Sequence, residues 1–387
     1  MKTYITLTFI ALSTLFVAML YPIDGYDTTG IKRLYRLQKM EMDSIANKRI
    51  PNGAYLKLDD IKLNLLSRKR DSLGAILVED NDFARKIARI TPGGNYSLAV
   101  LDMTNPDSLK YAAHRENVGY QPGSVGKIAV LNGFFTELAE VYPDNFELRT
   151  GLMCNKRVKA RYWGTGDHHT IPVYDIDSDK LTKRQVVASD EFSLYEWADH
   201  MVSVSNNGAA SVLYRETMLL DAFGRKYADL TEEEAENYFV ETDRDSLTSQ
   251  ANRVVNQPLR DLGITEDDWR LGGMFTRPAG KYVGREGGSI GTPKGLMKFL
   301  VALEQGNVID EESSLEMKRL LYMTDRRIRY AHSNRLDDAA VYFKSGSFYK
   351  CDREKNPNCS DYAGNVFNYM NSVIIVEQPN GKNTSYA

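Results

Sequence analysis

The stretch that decides the fold reads Gln121-Pro122-Gly123-Ser124-Val125-Gly126-Lys127, and the apolar run Ile128-Ala129-Val130-Leu131 follows it. Gln121, Pro122 and Gly123 break the chain, and Ser124 then opens residues 125–141, whose apolar content fits a buried helix. Residues three apart on a helix share a face about one turn apart, so the hydroxyl of Ser124 and the amine of Lys127 are expected side by side. That pairing has a chemical use. A serine hydroxyl is a poor nucleophile until a base takes its proton, and a lysine can be that base once desolvation and neighbouring cations leave it neutral. The partial positive charge of the helix N-terminus would help stabilise the developing alkoxide and oxyanion.

The spacing alone is weak, because Ser347-Phe348-Tyr349-Lys350 repeats it. The second copy is expected at a strand end before a polar loop, with no helix to hold its lysine over its serine, so context selects Ser124. Upstream, residues 96–103 read as a strand, Asn105 and Pro106 mark a turn, and residues 109–114 read as the returning strand of a hairpin. Downstream, residues 192–220 and 292–303 carry helical patterns, the latter started by Thr292-Pro293. The acidic run 231–245 reads as a solvated helix and loop. Residues 339–343 and 372–377 are β-branched and aromatic enough for strands.

Two further triplets complete an ordered set. Ser205-Asn206-Asn207 follows the helical run 194–204, and Lys344-Ser345-Gly346 ends the strand at Phe343. Singly, each has a commonplace explanation: Ser124 as a helix N-cap, Lys344 as an edge-strand gatekeeper, Asn207 as a helix terminator. Together they are Ser-x-x-Lys, Ser-x-Asn and Lys-Ser/Thr-Gly in the order found in class A β-lactamases and penicillin-binding proteins. Over residues 96–377 the chain resembles that superfamily.

The resemblance implies a two-lobed α/β fold of the β-lactamase/transpeptidase type, an antiparallel sheet lobe plus an all-helical lobe with the cleft between them. It implies a hydrolase in which Ser124 is acylated by a strained lactam or a D-Ala-D-Ala amide while Lys127 accepts its proton. Ser205 would relay a proton to the leaving nitrogen, and Asn207 would bond the acyl amide of the substrate. Lys344 and Ser345 would hold the substrate carboxylate, the backbone N–H groups of Ser124 and Ser347 would form the oxyanion hole, and Gly346 would let substrate lie close to the strand. No metal or organic cofactor is needed for this chemistry.

The match also has departures. The Glu-x-x-Leu-Asn pattern that carries the deacylating carboxylate is missing; Glu233 with Asn237, and Glu286, are the nearest substitutes. Asn206 stands where an Asp is usual, the space between Lys127 and Ser205 is long, and too little follows Glu377 for the family's C-terminal helix. Within the long insert, Tyr162 and Trp163 are candidates for the cleft wall, with packing inside the lobe as the alternative. A D-alanyl-D-alanine carboxypeptidase or penicillin-binding protein, or a penicillin-binding sensor without turnover, is therefore the alternative to a β-lactamase.

At 387 residues with a formal charge of −3, the chain offers no electrostatic case for nucleic acid. Residues 4–20 are uncharged and mostly apolar behind Lys2, as in an export signal or an uncleaved membrane anchor. An exported, periplasmic or membrane-anchored protein acting on a small molecule or a peptidoglycan peptide is expected. The division is 1–22 signal or anchor, 23–90 helical extension, and 91–387 hydrolase, its α/β lobe at 91–123 and 339–387 and its helical lobe at 124–338. In the extension, Ile31, Leu34, Leu37, Met40 and Ile45 fall near helical spacing, either standing the catalytic part off a membrane or packing on its side. Cys351 and Cys359 are close enough to bridge in an oxidising compartment, Cys154 being left over, but spacing alone leaves the pairing open. Asp167, His168 and His169 are the one group that tempts a metal reading; adjacent His side chains diverge, and a solvated loop is expected.

Overall fold

The computed structural model describes residues 21–42, 53, 55–91, 94–323, 331, 333–360, 362–379, 381 and 383–386. The apolar segment 4–20 and Ile45 lie outside them. Among the described residues no helix is long and apolar enough to cross a membrane.

One antiparallel sheet runs in the order Lys110–His114, Leu98–Asp102, Asn383–Tyr386, Phe367–Glu377, Ala340–Lys350. The expected hairpin is present, with Leu98 opposite His114 and Asp102 opposite Lys110. The two long strands pair from Ala340 opposite Glu377 to Lys350 opposite Phe367. They outrun the β-branched stretches read from the sequence, because pairing carries the ladder on through polar residues. Ala340 to Gly346 is buried, whereas Phe348 and Lys350 are exposed, so the outer half projects as a ribbon. A disulfide between Cys351 and Cys359 closes the loop at its tip. Asn383–Tyr386 slots between Leu98–Asp102 and Phe367–Glu377, a strand too short to show in the sequence pattern.

The helical lobe is organised around Lys127–Val141, which is buried on nearly every side, with Glu140 its one exposed residue. A helix that is apolar all round belongs in a core. Here it is enclosed by Leu194–Ser203, Asn207–Phe223 and Arg244–Asp261. Pro293–Glu304 starts as expected, Thr292 accepting from Gly295 N at 2.9 Å with Pro293 in the first turn. Yet this helix and Glu311–Leu321 lie on the sheet, not wholly within the helical lobe where the 124–338 boundary put them. An amphipathic stripe says that a face is covered, not what covers it. Lys318, fully buried, binds Glu304 at 2.7 Å and Glu377 at 2.6 Å, tying both helices to the sheet.

The described residues of 23–90 are helical only in part. Lys32–Glu41 and Asn81–Ile90 are helices, and between them lie short turns at Leu58–Asp60, Leu66–Arg68 and Leu73–Ile76. Ile31, Leu34 and Leu37 are buried, so the helical spacing marks a face packed on the body of the protein. Beside them Arg33 Nε donates to Asp199 Oδ2 at 2.6 Å, an ion pair whose side chains are 1% and 0% exposed.

Candidate active site

Ser124 lies in a tight 3-10 turn, Gly123–Gly126, that leads directly into Lys127–Val141. Two glycines make the turn fit against the edge strand. Gly123 has φ +54°, and a Cβ there would come within 2.8 Å of Ser347 O. A Cβ on Gly346 would lie 2.1 Å from Pro122 O and 2.9 Å from Ser124 N. The space above Gly346 is thus filled by the turn that carries Ser124, and Gly346 is not among the described residues that line the cleft. Close approach of backbone, rather than of substrate, accounts for this glycine.

The three triplets meet at one point. Lys127 is fully buried, and its Nζ lies 2.9 Å from Ser124 Oγ, 3.3 Å from Ser205 Oγ and 2.8 Å from Asn207 Oδ1. Lys344 Nζ donates to Ser205 Oγ at 2.8 Å and to Ser345 O at 2.9 Å. Ser205 therefore bridges the two lysines, and it does so from a left-handed backbone with φ 60°, a conformation that needs support from its surroundings. The Phe275 ring, 5.4 Å from the amine, covers Lys127 from a third element. Burial lowers the pKa of Lys127 to about 7, against the opposing pull of the Asp167 charge. At that value a large share of the amine is neutral near pH 7 and can take a proton from Ser124.

The sequence reading places Asp167 in a solvated loop and misses its place beside the three triplets. Instead of lying in a solvated loop, its side chain is 2% exposed. It accepts from Asn207 N at 2.6 Å, from Asn207 Nδ2 at 3.0 Å, and pairs with His169 Nδ1 at 2.8 Å. Burial would raise its pKa, but His169, the Asn207 backbone and the Lys127 charge outweigh it and hold the carboxyl at about 2. The side chains of Asp167, His168 and His169 bring ligand-type atoms within 4.8 Å of one another, but both carboxylate oxygens are already engaged by these contacts. Asn206 caps the helix by accepting from Ala209 N at 2.7 Å and donates Nδ2 to His169 O at 2.9 Å. A carboxylate at 206 could not make the second bond.

The cleft between the lobes has a volume of about 970 Å³, and Ser124, Ser205, Asn207, Lys344, Ser345 and Ser347 all contribute to its wall. Among the described residues that line it, none is an Asp or a Glu. Glu286 is exposed and accepts from Asn252 Nδ2 at 2.6 Å, while Glu233 and Asn237 sit on Glu232–Glu241; none of the three lines the cleft. Trp163 is buried and stacks on Tyr282 at 4.9 Å, and Tyr162 is exposed, so neither aromatic walls the cleft.

Among solved structures, the chain is similar to the TLA-3 extended-spectrum beta-lactamase at 13% identity and a TM-score of 0.50, covering 79% of this chain and 88% of that one. It is also similar to a beta-lactamase from Sphaerobacter thermophilus DSM 20745, with 17% identity, TM-score 0.45, and 79% and 86% of the two chains covered. PBP-A matches at 12% identity and a TM-score of 0.44 over 80% and 88%. At these identities the likeness concerns the fold alone. No curated protein matches. The profile of the beta-lactamase enzyme family matches residues 82–383, most of the chain including all three triplets, and the chain belongs to that family.

Proposed function

We propose that the protein is an exported serine hydrolase that acylates Ser124 with β-lactams or acyl-D-Ala-D-Ala peptides. The observation that carries this reading is the fully buried Lys127 amine 2.9 Å from Ser124 Oγ. In the first step Ser124 Oγ forms a bond to the carbonyl carbon as its proton passes to Lys127. The backbone N–H groups of Ser124 and Ser347 receive the negative oxygen, and the C–N bond then breaks. Ser205, bonded to Lys344, passes a proton to the leaving nitrogen, while Lys344 and Ser345 hold the substrate carboxylate. The disulfide supports an oxidising compartment outside the cytoplasm.

The missing Glu-x-x-Leu-Asn pattern, with no Asp or Glu among the described lining residues, favours slow release of the acyl group, and hence a penicillin-binding protein or D-alanyl-D-alanine carboxypeptidase over a fast β-lactamase. Fluorescent penicillin is expected to give a one-to-one adduct that peptide mass mapping places on Ser124. Its decay should be far slower than its formation, with D-Ala release from a pentapeptide exceeding nitrocefin turnover. Absence of an adduct, or label on Ser347, sinks the reading; rapid repeated nitrocefin turnover reverses the choice between the two substrates.

A further inference from the structure

We propose that Asp167 is a positioning residue of this site: its carboxylate locks the Asn207 amide so that the oxygen faces Lys127 and one N–H is left for the acyl carbonyl of the substrate. The inference rests on Ser124 being the acylated nucleophile, and it extends that reading to a residue outside the three triplets.

An asparagine amide has two unlike ends, an oxygen that only accepts and an NH2 that only donates. At Asn207 the oxygen lies 2.8 Å from Lys127 Nζ, and the NH2 lies 3.0 Å from Asp167 Oδ1. Turning the amide over would set its oxygen against the carboxylate, and its NH2 against Lys127 whenever that is an ammonium, so Asp167 opposes the flip in both charge states of the lysine. Asp167 also takes the Asn207 backbone N–H at 2.6 Å, which fixes the residue as well as its side chain. The NH2 has a second hydrogen, and Asn207 lines the cleft. A substrate with an acyl amide carbonyl can use that hydrogen without disturbing the bond to Lys127.

The clamp explains the unusual second triplet. Asn206 spends its amide on Ala209 N and on His169 O, holding the 167–169 segment against the start of Asn207–Phe223. The carboxylate that an Asp at 206 would bring is supplied instead from 40 residues upstream of Asn207. His169 Nδ1, 2.8 Å from Asp167 Oδ1, steadies it from the far side.

The test compares wild type with Asp167→Asn, using benzylpenicillin and 6-aminopenicillanic acid, which lacks the acyl carbonyl. Rates are expressed per active site titrated by adduct formation, so a loss of folded protein does not count. Acylation by benzylpenicillin is expected to fall about 10- to 100-fold, the range for a lost charge-assisted hydrogen bond. The preference for benzylpenicillin over 6-aminopenicillanic acid should shrink by about tenfold, because a freed amide no longer presents its N–H.

The acid limb of the rate should also move to lower pH. The groups that face Lys127 are Ser124, Ser205 and Asn207, the Phe275 ring, the Asp167 carboxylate and, across Ser205, the Lys344 amine. Asp167 is the negative charge among them, and removing it disfavours the ammonium. If Asp167→Asn does not fold, Asp167→Ser carries the same readouts. An unchanged preference and an unchanged limb in a variant that still acylates overturn the clamp. A wild-type protein that forms no adduct overturns the acylation reading itself.

Discussion

Lys127→Met is expected to slow acylation of Ser124 about 10²- to 10⁴-fold, the range for removal of a positioned general base. Met approximates the length of the lysine stem and keeps the site apolar, so the change isolates the amine. Ser124→Ala serves as the limit, with no adduct at all. The pH dependence identifies the amine as the base. With Lys127 at about 7, the wild-type rate should rise with pH through that value, since only the neutral amine accepts a proton. Well below the midpoint each pH unit removes about nine-tenths of the neutral form, and the rate should fall tenfold per unit. In Lys127→Met that limb should vanish. Stopped-flow acylation between pH 5 and 9 makes the comparison; a variant with wild-type rate, or a wild type flat across the range, removes Lys127 from the mechanism.

The second large effect is on stability. Arg33→Met leaves Asp199 buried at 0% exposure without its cation, and breaking such a pair from one side costs about 3–5 kcal/mol. The loss should read out as a lower urea midpoint with the fold retained at low denaturant. It should also depend on pH in a defined direction. Burial already raises the Asp199 pKa while Arg33 opposes it, so without Arg33 the carboxyl resists ionisation more strongly. A raised carboxyl pKa means that the folded state is disfavoured as pH climbs past the unfolded value. The deficit of Arg33→Met is therefore expected to be larger at pH 7.5 than at pH 5. Equal midpoints for the two proteins would show that the Arg33–Asp199 pair contributes nothing net to the fold.

The legible part of this molecule is what the chain encodes locally or in strict order. The hairpin at residues 98–114 has its turn chemistry at Asn105 and Pro106, and Pro293 announces its helix. Ser124, Lys127, Ser205, Asn207, Lys344 and Ser345 are legible only as an ordered set, and they converge within hydrogen-bond range. What stayed hidden depends on contacts with no local signature. Asp167 sits beside two histidines in an irregular stretch, and its meaning comes from Asn207, 40 positions later. Gly346 is a glycine because of Pro122 O, which no reading of the strand itself could reveal. Trp163 looks the same in sequence whether it walls a cleft or, as here, stacks on Tyr282 inside the lobe. The spacing of Ile31, Leu34 and Leu37 announces a covered face and leaves its cover unnamed.

The helix Lys127–Val141 is walled in by other helices along nearly its whole length. It behaves as a fixed post, since sliding or tilting it would open voids throughout the lobe. The opposite boundaries of the cleft are of another kind: the projecting ribbon with Phe348, Tyr349 and Tyr362, and the segment carrying Met274 and Arg285. One wall of the cleft is thus anchored in the interior, and the other is assembled from strand and loop at the surface.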